Sequence, residues 1–165
     1  MQTRELMDLW DRLEAVRADV LRLLEDATEP ELAWAPPGFR NPAAVIGRHL
    51  AGAEKFWIGQ LVGGTDVKRQ RDLEFSRPLW TRAALLEELS RTRDLSARVF
   101  RGLDASSLDR RVETLVHRPP HAPEDMTARW AILHTLEHES YHLGQLSVLL
   151  RAARAGAARA DEVAR

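Results

Sequence analysis

The chain has 165 residues, 44% of them apolar and 30% charged, with a net charge of −1. That balance fits one globular domain with a sizeable core, and it offers no strong basic field for nucleic acid. There is no cysteine, which excludes disulfides, zinc–thiolate sites and a cysteine nucleophile.

The opening residues MQTRELMDLW carry charges where a secretory signal has its apolar run, so the expected location is the cytoplasm. No apolar run approaches the ~20 residues needed to cross a bilayer, and no membrane partner is expected.

The first helix is predicted over 3–26. Leu6, Leu9, Leu13, Val16, Val20 and Leu24 recur at three and four, and Thr3 suits its start. Residues 27–41 read as a loop, because Pro30, Pro36, Pro37 and Gly38 forbid a continuous helix. Trp34 and Phe39 in that loop either cover the mouth of something or pin the loop to the core. A second helix follows, with Asn41 as the expected cap and Pro42 at its first position, and it ends at Gly63-Gly64. His49 falls within its apolar stripe. Gly47, Gly52 and Gly59 are poor helix formers that permit close approach by a neighbour.

Residues 65–78 are polar and basic and read as a mobile loop. A third helix is predicted over about 80–101, capped by Thr81 and ended by Gly102. It offers no ligand. Residues 103–125 are irregular, with a short extended piece at 111–116. Their two histidines, His117 and His121, lie beside prolines, where solvated surface is the usual outcome.

The fourth helix is predicted over Met126–Arg151, with Asp125 or Thr127 at its start. It carries His134, His138 and His142, each four apart. Four residues advance a helix by about 400° and roughly 6 Å, so each adjacent pair shares a face and two imidazoles can converge on one ion. His134 and His142 stand about 12 Å apart along the axis, too far to share an ion comfortably. One pair at most is a clamp, and one histidine is left over. Paired histidines on an apolar face are also commonly hydrogen-bonded core residues.

Four helices without a convincing sheet give an all-α four-helix bundle with long connecting loops, a single unit over 1–155 and a frayed tail over 156–165. Bundles build metal sites from facing helices, which makes His49 the obvious third ligand.

The loop LAWAPPG, the stretch IGRHLAGAEKFW and the stretch HTLEHESYHLGQLSVLLR together resemble the DinB-like family, which includes thiol-dependent S-transferases and maleylpyruvate isomerase. The resemblance covers nearly the whole chain. It implies a four-helix bundle, often a homodimer, holding one divalent ion on three histidines. Carried over, these are His49, His138 and His142, with His134 as an interior or outer-sphere residue. Zinc or nickel suits imidazole best, and iron, cobalt or manganese are also compatible.

The expected function is a metal-dependent transferase or hydrolase acting on a small molecule, for instance by adding a low-molecular-weight cellular thiol to an electrophile. Gln145, Glu54 and Tyr141 are the polar candidates near the ligands. Glu139 points about 100° away from His138 and reads as a surface or dimer-contact carboxylate. Arg40, Lys68, Arg69, Arg71 and Arg118 in the loops could hold an acidic substrate or simply face solvent. The alternative is a non-catalytic, stress-related metal-binding or dimeric interaction protein, whose five tryptophans would gather on an exposed face.

Overall fold

The computed structural model describes residues 3–114, 116 and 118–163, with side chains described as far as 156. His117 lies outside the described residues. Four long helices make the bundle: α1 (Arg4–Glu25), α3 (Ala43–Glu54), α5 (Arg82–Gly102) and α7 (Ala128–Val163). Between them lie the short helices α2 (Glu29–Ala33), α4 (Arg71–Glu74) and α6 (Ala105–Leu108). No strand occurs among the described residues, only an isolated antiparallel bridge between Arg111 and Thr127. No helix among them is long and apolar enough to cross a membrane.

Capping explains most of the boundaries. The Thr3 hydroxyl accepts from the Leu6 N–H, and the Thr81 hydroxyl from that of Ala84. Within the proline-rich loop, Thr28 and Glu31 form a reciprocal capping box that sustains α2 with Pro30 in its first turn. Asn41 does not cap α3. Val45 and Ile46 donate instead to the Pro42 carbonyl, so the proline itself is the half-in residue. From Lys55 to Val62 the same helix loosens into π-helical turns, closed by Gly63 N–H to Ile58 C=O at 2.9 Å. The α7 helix runs past Arg151 to Val163, since alanine and arginine, which dominate this end, are strong helix formers.

The core is divided in height. One apolar cluster gathers Leu6, Leu13, Phe56, Trp57, Ile58, Phe100 and Ile132. The other gathers Val20, Leu24, Ile46, Leu50, Leu85, Leu89 and Leu146. Each long helix gives a polar side chain to the level between them: Arg17, Glu54, Ser96 and Glu139, all buried. Arg17 donates to both Glu54 oxygens, and Ser96 donates to Glu54 as well. Glu139 is therefore no surface carboxylate. Burial, then the neighbouring charge of Glu54, raise its pKa well above the ordinary carboxylate range. The tryptophans do not gather on an exposed face. Trp57 is buried, and Trp10, Trp80 and Trp130 pack against the two clusters.

Candidate metal centre

The α3 and α7 helices pack face to face, and this brings His49 opposite the His138–His142 pair. The His49 ring centroid is 5.0 Å from that of His138 and 5.1 Å from that of His142. The two α7 rings are 4.5 Å apart, as expected for neighbours one turn apart on a helix. The Nε2 atoms of His49 and His138 face each other at 3.1 Å. One ligand atom from each of the three rings lies within 4.8 Å of the others, so the group could hold a metal ion.

Two of the rings are steered from behind. His49 donates its Nδ1–H to Glu74 Oε2 at 2.7 Å, which fixes the tautomer and leaves the Nε2 lone pair facing inward. Arg69 grips the same carboxylate with two bonds, Nε to Oε1 at 2.7 Å and Nη2 to Oε2 at 2.9 Å. Burial pushes Glu74 upward, but the bonds from His49 and Arg69 outweigh it and hold the carboxyl below its ordinary range. His142 donates its Nδ1–H to Gln145 Oε1 at 2.7 Å, and the Gln145 amide donates to the Tyr141 hydroxyl at 2.8 Å.

The two donors on α7 are in their ligand form. Burial, reinforced by the neighbouring rings, lowers His138 to about 2. The same causes lower His142 to about 4, against a small upward pull from Gln145. Both are neutral imidazoles near neutral pH, as coordination requires. Three convergent imidazole nitrogens, two with an outer partner on the far ring nitrogen, fit a borderline divalent ion such as zinc or nickel.

Glu74 carried no signal in the sequence, because it lies in the segment read as a mobile loop. The segment is in fact strapped to α3. Arg48 donates to the Glu74 and Ser76 carbonyls at 2.7 and 2.6 Å. Gly52 explains how the carboxylate comes so close. A Cβ at this position would fall 2.6 Å from Glu74 Cδ, so only glycine leaves the acid room one turn along from His49. Gly47 and Gly59 meet Leu85 and Leu95 of α5, which is the close helix approach expected of them.

The remaining candidates are distributed around this centre. Gln145 and Tyr141 stand beside it. Glu54 does not, since its carboxylate is spent on Arg17 and Ser96 at mid-core. His134 is half-buried, its ring 6.1 Å from that of His138, stacked on Trp130 and edge-on to Trp57. Its Nδ1 is buried without a hydrogen-bond partner among the described residues. His121 is exposed, with its ring 5.8 Å from His134.

Two cavities open onto the triad. One of about 370 Å³ is lined by His49, His138, His134 and Trp57, with Arg69, Arg71 and Arg118 at its walls. The other, about 360 Å³, is lined by His49, His142, Gln145 and Tyr141, with Phe39 and Arg40 of the proline-rich loop. Phe39 thus borders the mouth of the site. A larger cavity of about 560 Å³ lies behind Glu74 and touches none of the three histidines.

A family model described as the DinB superfamily matches residues 12–146, a span that includes His49, Glu74, His138 and His142. No curated protein matches the chain.

Proposed function

The chain belongs to the DinB superfamily, and we propose that it is a metal-dependent enzyme that joins a small thiol, or water, to a small electrophile. The observation that carries this reading is the convergence of His49, His138 and His142 at the junction of two cavities, with Glu74 and Gln145 holding two of the rings from behind.

A divalent ion on three imidazoles supplies Lewis acidity, which brings a water or thiol it binds toward ionisation at neutral pH. The chain's own residues set the conditions for that chemistry. The Glu74 carboxylate, held by Arg69, keeps His49 in one tautomer and strengthens its Nε2 as a donor. Gln145 does the same for His142 and links it to the exposed Tyr141 hydroxyl at the cavity rim. With no cysteine in the chain, the sulfur of any thiol reaction comes from a cosubstrate.

Arg71 is common to both cavities, and Arg118 lines the one that faces His138. Arg69 is already neutralised by Glu74, which leaves Arg71 and Arg118, with Arg40 in the cavity that faces His142, as the cations for an incoming anion. These favour a thiol or an electrophile that carries a carboxylate. Zinc or nickel is the proposed ion, and a homodimer in the cytoplasm is the proposed setting.

The test is elemental analysis of protein purified without a polyhistidine tag or added metal, beside the His49→Ala, His138→Ala, His142→Ala triple variant. A loss of about one equivalent of zinc or nickel in the variant supports the centre and leads to a screen of thiols against electrophiles. Metal-free protein that takes up no ion on reconstitution overturns it. A loaded protein inert to every thiol and to water would leave a metal-binding interaction bundle.

A further inference from the structure

Beside the three-histidine centre stands a second group of ligand-type side chains. We propose that His121, His134 and Glu137 form a second divalent-metal site, on the shoulder of the cavity that the three-histidine centre faces, suited to a first-row transition metal such as zinc. This goes beyond the function proposed above and does not depend on it.

The geometry comes from two elements. His134 and Glu137 lie three apart on α7, so their side chains project from one side of the helix, one turn apart. The third residue, His121, comes from the loop before α7. One ligand atom from each of the three falls within 4.8 Å of the others. Two imidazoles and one carboxylate around a point are a frequent donor set for zinc and other first-row divalent ions, with further positions left for water or substrate.

The His134 ring is placed but not satisfied. Trp130 stacks against it at 4.9 Å with only 6° between the planes, and Trp57 meets it edge-on at 4.6 Å. Those contacts fix the ring by apolar packing alone. Its Nδ1 is buried, yet no hydrogen-bond partner reaches it among the described residues. A buried imidazole nitrogen normally finds a partner, and its orientation here is not explained by one. Burial, then the nearby His121, lower the His134 pKa, which keeps it in the neutral form that binds metal.

His121 is also held in place. Arg118 donates to the Ala122 and Pro123 carbonyls at 3.2 and 2.7 Å, and the Ala122 N–H closes a turn onto the Pro119 carbonyl at 3.0 Å. The His121 ring then lies 6.1 Å from Trp130 and 5.8 Å from His134. Glu137 and His121 are exposed, so an ion reaches them from solvent. His134 lines the same cavity as His49 and His138, which puts the second site within reach of any molecule bound at the first.

The experiment is a titration of chelator-stripped protein with Zn²⁺ by calorimetry, repeated with Co²⁺ by visible absorption. Wild type is expected to bind two equivalents. His121→Ala and Glu137→Gln, both at exposed positions and checked for unchanged helicity by circular dichroism, are expected to bind one. His49→Ala is expected to lose the other equivalent and keep this one. A single equivalent in wild type that only His49→Ala removes overturns the second site and leaves the first standing. A second equivalent that survives both His121→Ala and Glu137→Gln overturns it as well. If His49→Ala changes nothing while His121→Ala removes an equivalent, the second site stands and the three-histidine centre falls.

Discussion

Glu74 lies 25 residues after His49 in the chain, yet its carboxylate accepts the His49 Nδ1 proton at 2.7 Å. That bond turns a histidine on an apolar stripe into an oriented donor. Replacing the acid by the isosteric Glu74→Gln keeps a hydrogen-bond acceptor but removes the charge that His49 and Arg69 share. Affinity for zinc at the three-histidine centre is expected to fall about 10- to 100-fold, the usual cost of losing such an outer partner. Competition against a chromophoric chelator measures it. Equal affinity in both proteins would mean that Glu74 serves only to fasten its loop.

Gly52 gives that carboxylate its space. Gly52→Ala introduces a methyl group against Glu74 and forces the acid, or the α4 segment that carries it, to retreat. Two effects should appear together: weaker zinc binding, and a loss of about 1–3 kcal/mol from overpacking. Denaturant melts of the metal-free protein separate the second from the first. An alanine variant with wild-type affinity and stability would show that the loop yields without cost.

The polar level at mid-core makes a separate prediction. Arg17 is the buried cation that compensates Glu54. Arg17→Met strands that carboxylate and should cost about 3–5 kcal/mol. The double change Arg17→Met, Glu54→Leu removes both charges and should recover most of the loss, because a buried ion pair contributes little over well-packed apolar groups. Urea melts of the two variants decide it. No recovery in the double variant would place the value of the layer in Ser96 and Glu139 instead.

Acid sensitivity follows from the two α7 ligands. In the metal-free protein His142 titrates near 4 and His138 near 2, chiefly through burial, whereas unfolded histidine titrates near 6.5. Below about pH 6.5 the unfolded chain therefore binds protons that the folded chain refuses. The stability associated with His142 is whole above about pH 6.5 and is lost as pH falls toward about 4. The difference in stability between chelator-stripped wild type and His142→Gln should shift against wild type over that interval. A pH-independent difference would contradict the assigned environment of His142.

Arg71 borders both cavities, so it should matter for charge and not for metal. Once a thiol–electrophile pair is found, Arg71→Gln is expected to raise KM for a carboxylated substrate about tenfold, the worth of one charge-assisted bond, with zinc content unchanged. The uncharged analogue of the same substrate should be indifferent to the change. Equal effects on both analogues would assign Arg71 to the shape of the pocket.

Much of this architecture was legible along the chain. The stripe from Leu6 to Leu24, the caps at Thr3 and Thr81 and the spacing of His134, His138 and His142 are local facts. A helix repeats every 3.6 residues whatever surrounds it, so periodicity alone fixes which side chains share a face. The same regularity, joined to the family resemblance, pointed to His49 as the partner across the bundle and put Gln145 among the polar candidates near the ligands.

The tertiary structure decided everything that depends on distance along the chain. Glu74 is invisible as a site residue because nothing local says that a basic loop will fold back onto α3. Glu139 looks like a surface acid beside a ligand, and Glu54 like a neighbour of His49. Both instead face Arg17, because the crossing of four helices assigns each one an inward face that a single helix cannot reveal. His121 meets His134 only through the path of its loop. Helical periodicity is set by backbone geometry and survives in isolation; contacts between elements are set by how whole helices pack and how loops close, and these exist only in the folded chain.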